Sequence, residues 1–119
     1  MDLKEVMQQK NFAVLGDTLN SEKFAYKIKT KMQDAGYTVY PVGKELLSLN
    51  DIEGEIDVID LCIHPVKGLN LLKENKKKFK CIVIQPGADN EELISWLEEQ
   101  KIPYIHGCLL VGLSTYVQS

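Results

Sequence analysis

The stretch Phe12-Ala13-Val14-Leu15-Gly16-Asp17-Thr18-Leu19-Asn20-Ser21 decides the fold. Phe12 to Leu15 is an unbroken apolar run, the pattern of a strand buried on both faces of a parallel sheet. Gly16 ends the run, and the chain then turns into a segment of helical periodicity. A strand that stops at glycine and leads into a helix aims backbone N–H groups at the strand's C-terminal edge. Nucleotide-binding folds hold phosphate there. Only the first glycine of the dinucleotide fingerprint G-x-G-x-x-G is present, since Thr18 occupies the second position and Ser21 the third. The unit reads as a phosphate site that departs from a standard NAD site.

From Ser21 to Ala35 the spacing puts Phe24, Ala25, Ile28, Met32 and Ala35 on one helical face, with Asn20 or Ser21 as cap and Gly36 closing the helix. Tyr37 to Tyr40 is a short β-rich run stopped by Pro41, and Gly43 to Glu55 is mixed, with one helical turn around Leu46 to Leu49. Ile56 to Ile63 is a buried strand broken at His64-Pro65. Val66 to Lys78 follows as a helix whose terminal Lys76-Lys77-Lys78 run is a solvated last turn suited to the helix dipole. Cys81 to Ile84 is the next buried strand. It ends at Gln85-Pro86-Gly87, after which Asp89 and Glu92 form a capping-box pattern for a helix carrying Leu93, Ile94, Trp96 and Leu97. Pro103-Tyr104-Ile105 is the last strand, the tail from Gly107 is apolar and irregular, and Met1 to Lys10 is a short polar helix outside the first strand. Strands alternating with helices on short connections require a parallel sheet with right-handed crossovers. The expected fold is a three-layer α/β/α Rossmann-like domain with a five-stranded parallel sheet. It forms a single domain over 1–119, with 1–10 as an N-terminal extension.

A chain of 119 residues can bury one core without disulfides or metals. Its net charge of −3 leaves no nucleic-acid footprint. All 14 basic residues are lysines, so any phosphate must be held by backbone amides, hydroxyls or ammonium groups rather than guanidinium forks. Cys62, Cys81 and Cys108 lie far apart with no CxxC pair, which indicates neither zinc nor a disulfide framework. Cys62 and Cys81 read as buried small hydrophobes of a reduced, cytoplasmic protein. The charged N-terminus has no signal-peptide core, and no apolar run approaches the ~20 residues needed to span a bilayer. The expectation is a cytoplasmic protein with no membrane and no nucleic-acid partner.

In such a fold the strands' C-terminal ends face one crevice. They deliver Asp17, Thr18 and Ser21, then Pro41, Val42, Gly43 and Lys44, then His64, Pro65 and Val66. Gln85, Pro86 and Gly87 follow, and finally His106 and Cys108. NAD-binding units place an acid after the second strand to take the ribose hydroxyls. Here Lys44 stands there, and a cation favours a phosphate on the adenosine ribose, as in NADP or coenzyme A. His106 and Cys108 lack a third group to orient the histidine, and nothing fixes a metal geometry among His64, His106 and Cys108. No helix start is expected at Cys108. Asp60, mid-strand among apolar neighbours, reads as a carboxylate accepting from a neighbouring loop's amides.

Gly16 with Lys23-Phe24-Ala25-Tyr26, the segment Ala35-Gly36-Tyr37-Thr38-Val39-Tyr40-Pro41-Val42, Asp57-Val58-Ile59-Asp60, Gln85-Pro86-Gly87-Ala88 and Cys108 together resemble the stand-alone CoA-binding domain family. These small Rossmann-like proteins are similar to the CoA-binding domain of succinyl-CoA synthetase α subunits. The resemblance runs in order from about Asn11 to Cys108. It implies CoA phosphates on the amides after Gly16, beside Asp17, with Thr18 and Ser21 supplying hydroxyls and Lys23 joining the set. It further implies the ribose phosphate and adenine near Pro41, Val42 and Lys44, a wall formed by His64 and Pro65, and Gln85 and Gly87 at the crevice mouth. Asp17 departs from the small residue usual after the glycine, and Gly43-Lys44 replaces the usual Asn-Pro. The function so implied is non-catalytic binding of a small nucleotide ligand, coenzyme A or an acyl-CoA. The alternatives are an NADP- or NAD-linked reductase or redox sensor, and a scaffold without ligand.

Overall fold

The structure, a computed structural model, describes residues 1–117. Its centre is a sheet of five strands, β1 (Asn11–Gly16), β2 (Thr38–Gly43), β3 (Val58–Leu61), β4 (Cys81–Ile84) and β5 (Tyr104–His106). All neighbours pair in parallel, in the order β2-β1-β3-β4-β5. Helices α1 (Leu3–Val6), α2 (Phe24–Asp34) and α5 (Leu109–Tyr116) cover one face, while α3 (Pro65–Glu74), α4 (Glu91–Glu99) and a 3-10 turn at Leu49–Asp51 cover the other. This is the expected three-layer α/β/α architecture.

Strand alternation divides the core. Val58 packs with Phe12, Val14, Ile28, Met32 and Leu109 on the α2 side, whereas Ile59 and Leu61 pack with Leu69, Leu72, Leu93 and Leu97 on the α3 side. The strand starts are pinned by Asp57, whose carboxylate accepts from the backbone N–H of Lys10 (3.2 Å) and Asn11 (2.9 Å) and meets the Lys80 ammonium at 3.5 Å. Burial alone would raise this carboxyl, yet the two amides and Lys80 hold it below the usual range.

Several boundaries differ from the sequence expectation. Pro41 lies inside β2 rather than ending it, and β2 is an edge strand, where the missing N–H is tolerated. β3 is confined to Val58–Leu61. α2 starts at Phe24, not Ser21, after a seven-residue loop; its N-cap, Lys23, makes no side-chain capping bond, and both Phe24 and Ala35 are exposed. α3 stops at Glu74 because Asn75 turns the chain, exchanging side-chain bonds with the backbone N–H and carbonyl of Lys77. Lys76 to Lys78 therefore lie beyond the helix rather than forming its last turn. α4 is capped by Asn90, whose Oδ1 accepts from Leu93 N at 2.8 Å; the Asp89/Glu92 capping box does not form. The tail from Gly107, expected to be irregular, forms α5 with Cys108 at its N-cap.

Candidate functional site

The chain leaves β1 toward β2 on one side and β3 toward β4 on the other, so the loops diverge between β1 and β3. Ligands of open parallel sheets bind at such a switch point. A crevice of about 490 Å³ opens there, within the size range of small-molecule sites. Asp17 enters it from the β1 loop, Lys23, Phe24 and Ala25 from the start of α2, and Lys44 from the β2 loop. The end of β3 adds Cys62, Ile63 and His64, α3 adds Lys67, and the β4 loop adds Gln85 to Ala88.

Gly16 sets the closeness of this corner. A Cβ at that position would lie 2.7 Å from Ala25 Cβ and would run into the Cys62 carbonyl oxygen. Its hydrogen atom lets α2 and the end of β3 close on the strand. Gly43, at φ +127°, adopts a backbone that L side chains rarely take, and a Cβ there would meet the Gly16 carbonyl at 2.8 Å.

The charge balance of the crevice opposes that of the chain. Lys23, Lys44 and Lys67 line it beside a single carboxylate, Asp17, while the whole chain carries −3. Asp17 Oδ1 accepts from Leu19 N and Asn20 N, both at 3.2 Å. The carboxylate thus closes its own turn, which draws its negative charge toward loop amides.

Asp17, Lys23, Lys44, His64, Gln85 and Gly87 come together at the crevice; Gly16, Thr18, Ser21, Pro41, Val42 and Pro65 lie outside its lining. Thr18 is fully buried and donates to Glu45 Oε2 at 2.6 Å, and Lys29 Nζ meets the same oxygen at 2.9 Å. The Thr18 hydroxyl, with help from Lys29, holds the Glu45 carboxyl below its ordinary range despite an opposing desolvation effect. Thr18 is therefore a strut between the β1 and β2 loops. Ser21 is exposed, and Val42 is a fully buried core residue. Pro65 is the first residue of α3, where its absent N–H costs nothing, and His64 Nδ1 caps the helix by accepting from Val66 N at 3.2 Å. Gln85 is 4% exposed, and its Oε1 accepts from Leu109 N at 3.0 Å, so its amide anchors the start of α5 rather than standing at the mouth. Lys67, Phe24 and Cys62 escaped the sequence reading as site residues. Lys67 lies three residues after the His64 cap, one turn along a helix whose Pro65 start was visible.

His106 Nε2 pairs with Asp89 Oδ2 at 3.0 Å, so a carboxylate that the sequence reading did not find orients this histidine, and neither residue lines the crevice. Asp60 contradicts its expected role: it is fully buried and neither carboxylate oxygen has a partner. Burial pushes this carboxyl well above the usual range. Cys81 is buried as expected, whereas Cys62 is only half-buried and reaches the crevice. Burial first, then the neighbouring Asp60 and Cys108, push the Cys62 thiol up to about 12. Among the described residues no cluster of three His, Cys, Asp or Glu side chains forms a metal site, and no helix is long and apolar enough to cross a membrane.

A parallel 2-1-3-4-5 sheet with a lysine-lined crevice at its switch point defines a nucleotide-binding domain of the Rossmann-like class. Residues 10–114 match the CoA binding domain family, and the chain belongs to it. A CoA-binding role follows at the level of the family. The uncharacterized protein YneT of Bacillus subtilis is 31% identical over 70 residues, and the chain spans about half the length of this curated relative (52%, against 50% of its own). A conserved hypothetical protein from Pyrococcus furiosus is 29% identical at a TM-score of 0.77, over 87% of this chain and 98% of that one. A Thermus thermophilus protein (23% identity, TM-score 0.79, 98% and 99% covered) shares the fold. So does a protein redesigned for binding, at 21% identity and a TM-score of 0.86, with 99% and 92% covered.

Proposed function

We propose that the chain binds coenzyme A or an acyl-CoA in the crevice between the β1 and β3 loops, as a ligand-binding module without catalysis of its own. The observation that carries this reading is the set Lys23, Lys44 and Lys67 around one opening in a chain of net negative charge. Coenzyme A brings a pyrophosphate and a ribose phosphate, and three ammonium point charges suit those dispersed anions in a protein without arginine. Lys44 follows the second strand, where an acid would have taken the free ribose hydroxyls of NAD. It is assigned to the ribose phosphate. Lys23, at the N-cap of α2, and Lys67, in the first turn of α3, are assigned to the pyrophosphate. Asp17, tied to Leu19 and Asn20, shapes the loop, and Gln85 and Gly87 close the side next to β4.

Thermal shift and calorimetry with CoA, dephospho-CoA, NADP and NAD test this. At a ligand concentration about 100 times Kd, CoA should add roughly 2.7 kcal/mol of stability. Dephospho-CoA should bind more weakly and NAD not at all, and Lys44→Ala should erase the difference between CoA and dephospho-CoA. Binding should weaken with salt, since the lysines lie in an open crevice. Equal or stronger stabilisation by NAD or NADP would overturn the assignment in favour of a dinucleotide module.

A further inference from the structure

We propose that the phenyl ring of Phe24 is the surface on which the adenine ring of the ligand stacks. The inference rests on the crevice reading above and deepens it at the base, for which that reading names no residue.

A bound purine needs a flat apolar surface to cover its face. The resemblance to CoA-binding domains puts the adenine near Pro41 and Val42. Val42, however, is fully buried in the core and Pro41 lies within β2, and neither lines the crevice. Two rings do line it, Phe24 and the imidazole of His64. The imidazole is a polar group that water satisfies, and its Nδ1 is already tied to Val66 N at the start of α3. Phe24 is a hydrocarbon ring left 62% exposed, so covering it removes apolar area from water.

The geometry of α2 explains why the core does not take this ring. Phe24 stands one turn before Ile28, on the same helical face by spacing, and Ile28 is fully buried over the sheet. Phe24 is also the first residue of α2, and its neighbour Ala25 already lies against Gly16, the last residue of β1. At the level of Phe24 the strand has ended, and the face that buries Ile28 meets the crevice instead. Isolated exposed apolar side chains are ordinary. This one lies in the lining of an opening, beside Lys23 in the chain and in the same lining as Lys44, the lysine assigned to the ribose phosphate. Glu45, next to Lys44, is held to α2 by Lys29 Nζ at 2.9 Å, so the β2 loop and α2 form one wall. A base carried by that ribose meets Phe24 on the same wall.

The ring is also restrained. The Lys27 ammonium lies over it, 5.6 Å from its centre, a cation–π contact that occupies one face and leaves the other for a base. Stacking reads the π-face of a base and not its edge, so this subsite adds affinity while the lysines, through the ribose phosphate, supply the choice between CoA and NAD.

The full chain and its Phe24→Ala and Phe24→Trp variants are titrated by calorimetry and fluorescence with CoA, with adenosine 3′,5′-bisphosphate, which carries the base, and with 4′-phosphopantetheine, which does not. Phe24→Ala should weaken CoA and the bisphosphate at least about fivefold, the low end of what loss of a stacking ring costs, and leave 4′-phosphopantetheine unchanged. The deficit should persist at high salt, because stacking is not screened as the lysine contacts are. The one native tryptophan, Trp96, packs on the α3 side of the sheet and serves as the blank in wild type. In Phe24→Trp, the new indole should be quenched by CoA and by the bisphosphate and not by 4′-phosphopantetheine. Because Phe24 is exposed, both variants should unfold at the wild-type temperature. Quenching by 4′-phosphopantetheine alone puts the pantetheine arm on the ring and overturns the proposal. Unchanged CoA affinity in Phe24→Ala also overturns it and leaves the binding assignment intact. Failure of CoA to bind the wild-type chain overturns both.

Discussion

Asp60 offers the sharpest test of the structure through Asp60→Asn, which keeps the shape of the side chain and removes its titration. In the folded protein the carboxyl is fully buried without a hydrogen-bond partner, and burial alone raises its proton affinity. In the unfolded chain it titrates near the ordinary ~3.9. Above that value the unfolded chain has released the proton while the folded protein retains it. The folded state therefore binds one proton more, and stability falls as pH rises. The slope is about 1.4 kcal/mol per pH unit, from the unfolded value up to the folded one, where the loss levels off. Asp57 and Glu45, whose carboxyls are lowered, push the opposite way, but both are present in the two proteins and cancel in the difference. The assay is urea unfolding of wild type and Asp60→Asn at intervals from pH 4 to 8, with the m-value held as a check on two-state behaviour. The variant's stability relative to wild type should climb as pH rises above the unfolded value. A difference that is flat across the range would mean that the carboxyl titrates alike in both states, and the unpartnered burial of Asp60 would be refuted.

Thr18→Val should cost about 1.5–3 kcal/mol, the worth of a hydrogen bond to a charged group, and should raise the Glu45 titration followed by NMR. An unmoved Glu45 would show that Lys29 alone holds it. Asp57→Ala removes acceptors for two backbone amides at the start of β1 and should cost roughly 2–4 kcal/mol at pH 7. Because the folded carboxyl is lowered, its contribution is present above the unfolded value and disappears as pH falls through the folded one, so variant and wild type should converge in acid. Gly16→Ala drives a methyl group into Ala25 and the Cys62 carbonyl; it should cost about 1–3 kcal/mol in urea unfolding and weaken CoA binding, whereas Gly107→Ala, where a Cβ meets only Leu3 at 3.9 Å, should spare the packing.

The parts of the fold that the sequence made legible are those where one signal dominates. Phe12–Leu15 and Cys81–Ile84 are continuous apolar runs because both faces of their strands are covered, and the alternation of strands and helices leaves little choice of topology. α5 was illegible for the converse reason. Leu-Leu-Val-Gly-Leu-Ser-Thr-Tyr carries no polar stripe to mark a helix, and Gly112 breaks the propensity. Its reason lies in tertiary packing: a Cβ at Gly112 would stand 2.6 Å from Met7 Sδ on the α1 side, a contact more than 100 residues away along the chain. In the site, topology places a loop at the crevice but does not aim its side chains. Asp17 and Thr18 are adjacent, yet Asp17 lines the opening while Thr18 turns to a carboxylate 27 residues distant.

Asp57 and Asp60 show where the line falls. Both are carboxylates of the same apolar segment, and either could be read as capping loop amides. Asp57 precedes β3, where the amides of Lys10 and Asn11 enter the sheet unpaired, and it accepts from both. Asp60 stands within the ladder, paired on one side with Val14 and on the other with Val83, so the amides around it are already engaged by backbone carbonyls. A carboxyl inside a central parallel strand has no local donor to find. Its burial is then a cost that packing does not explain, and that argument follows from strand position alone once the order β2-β1-β3-β4-β5 is known.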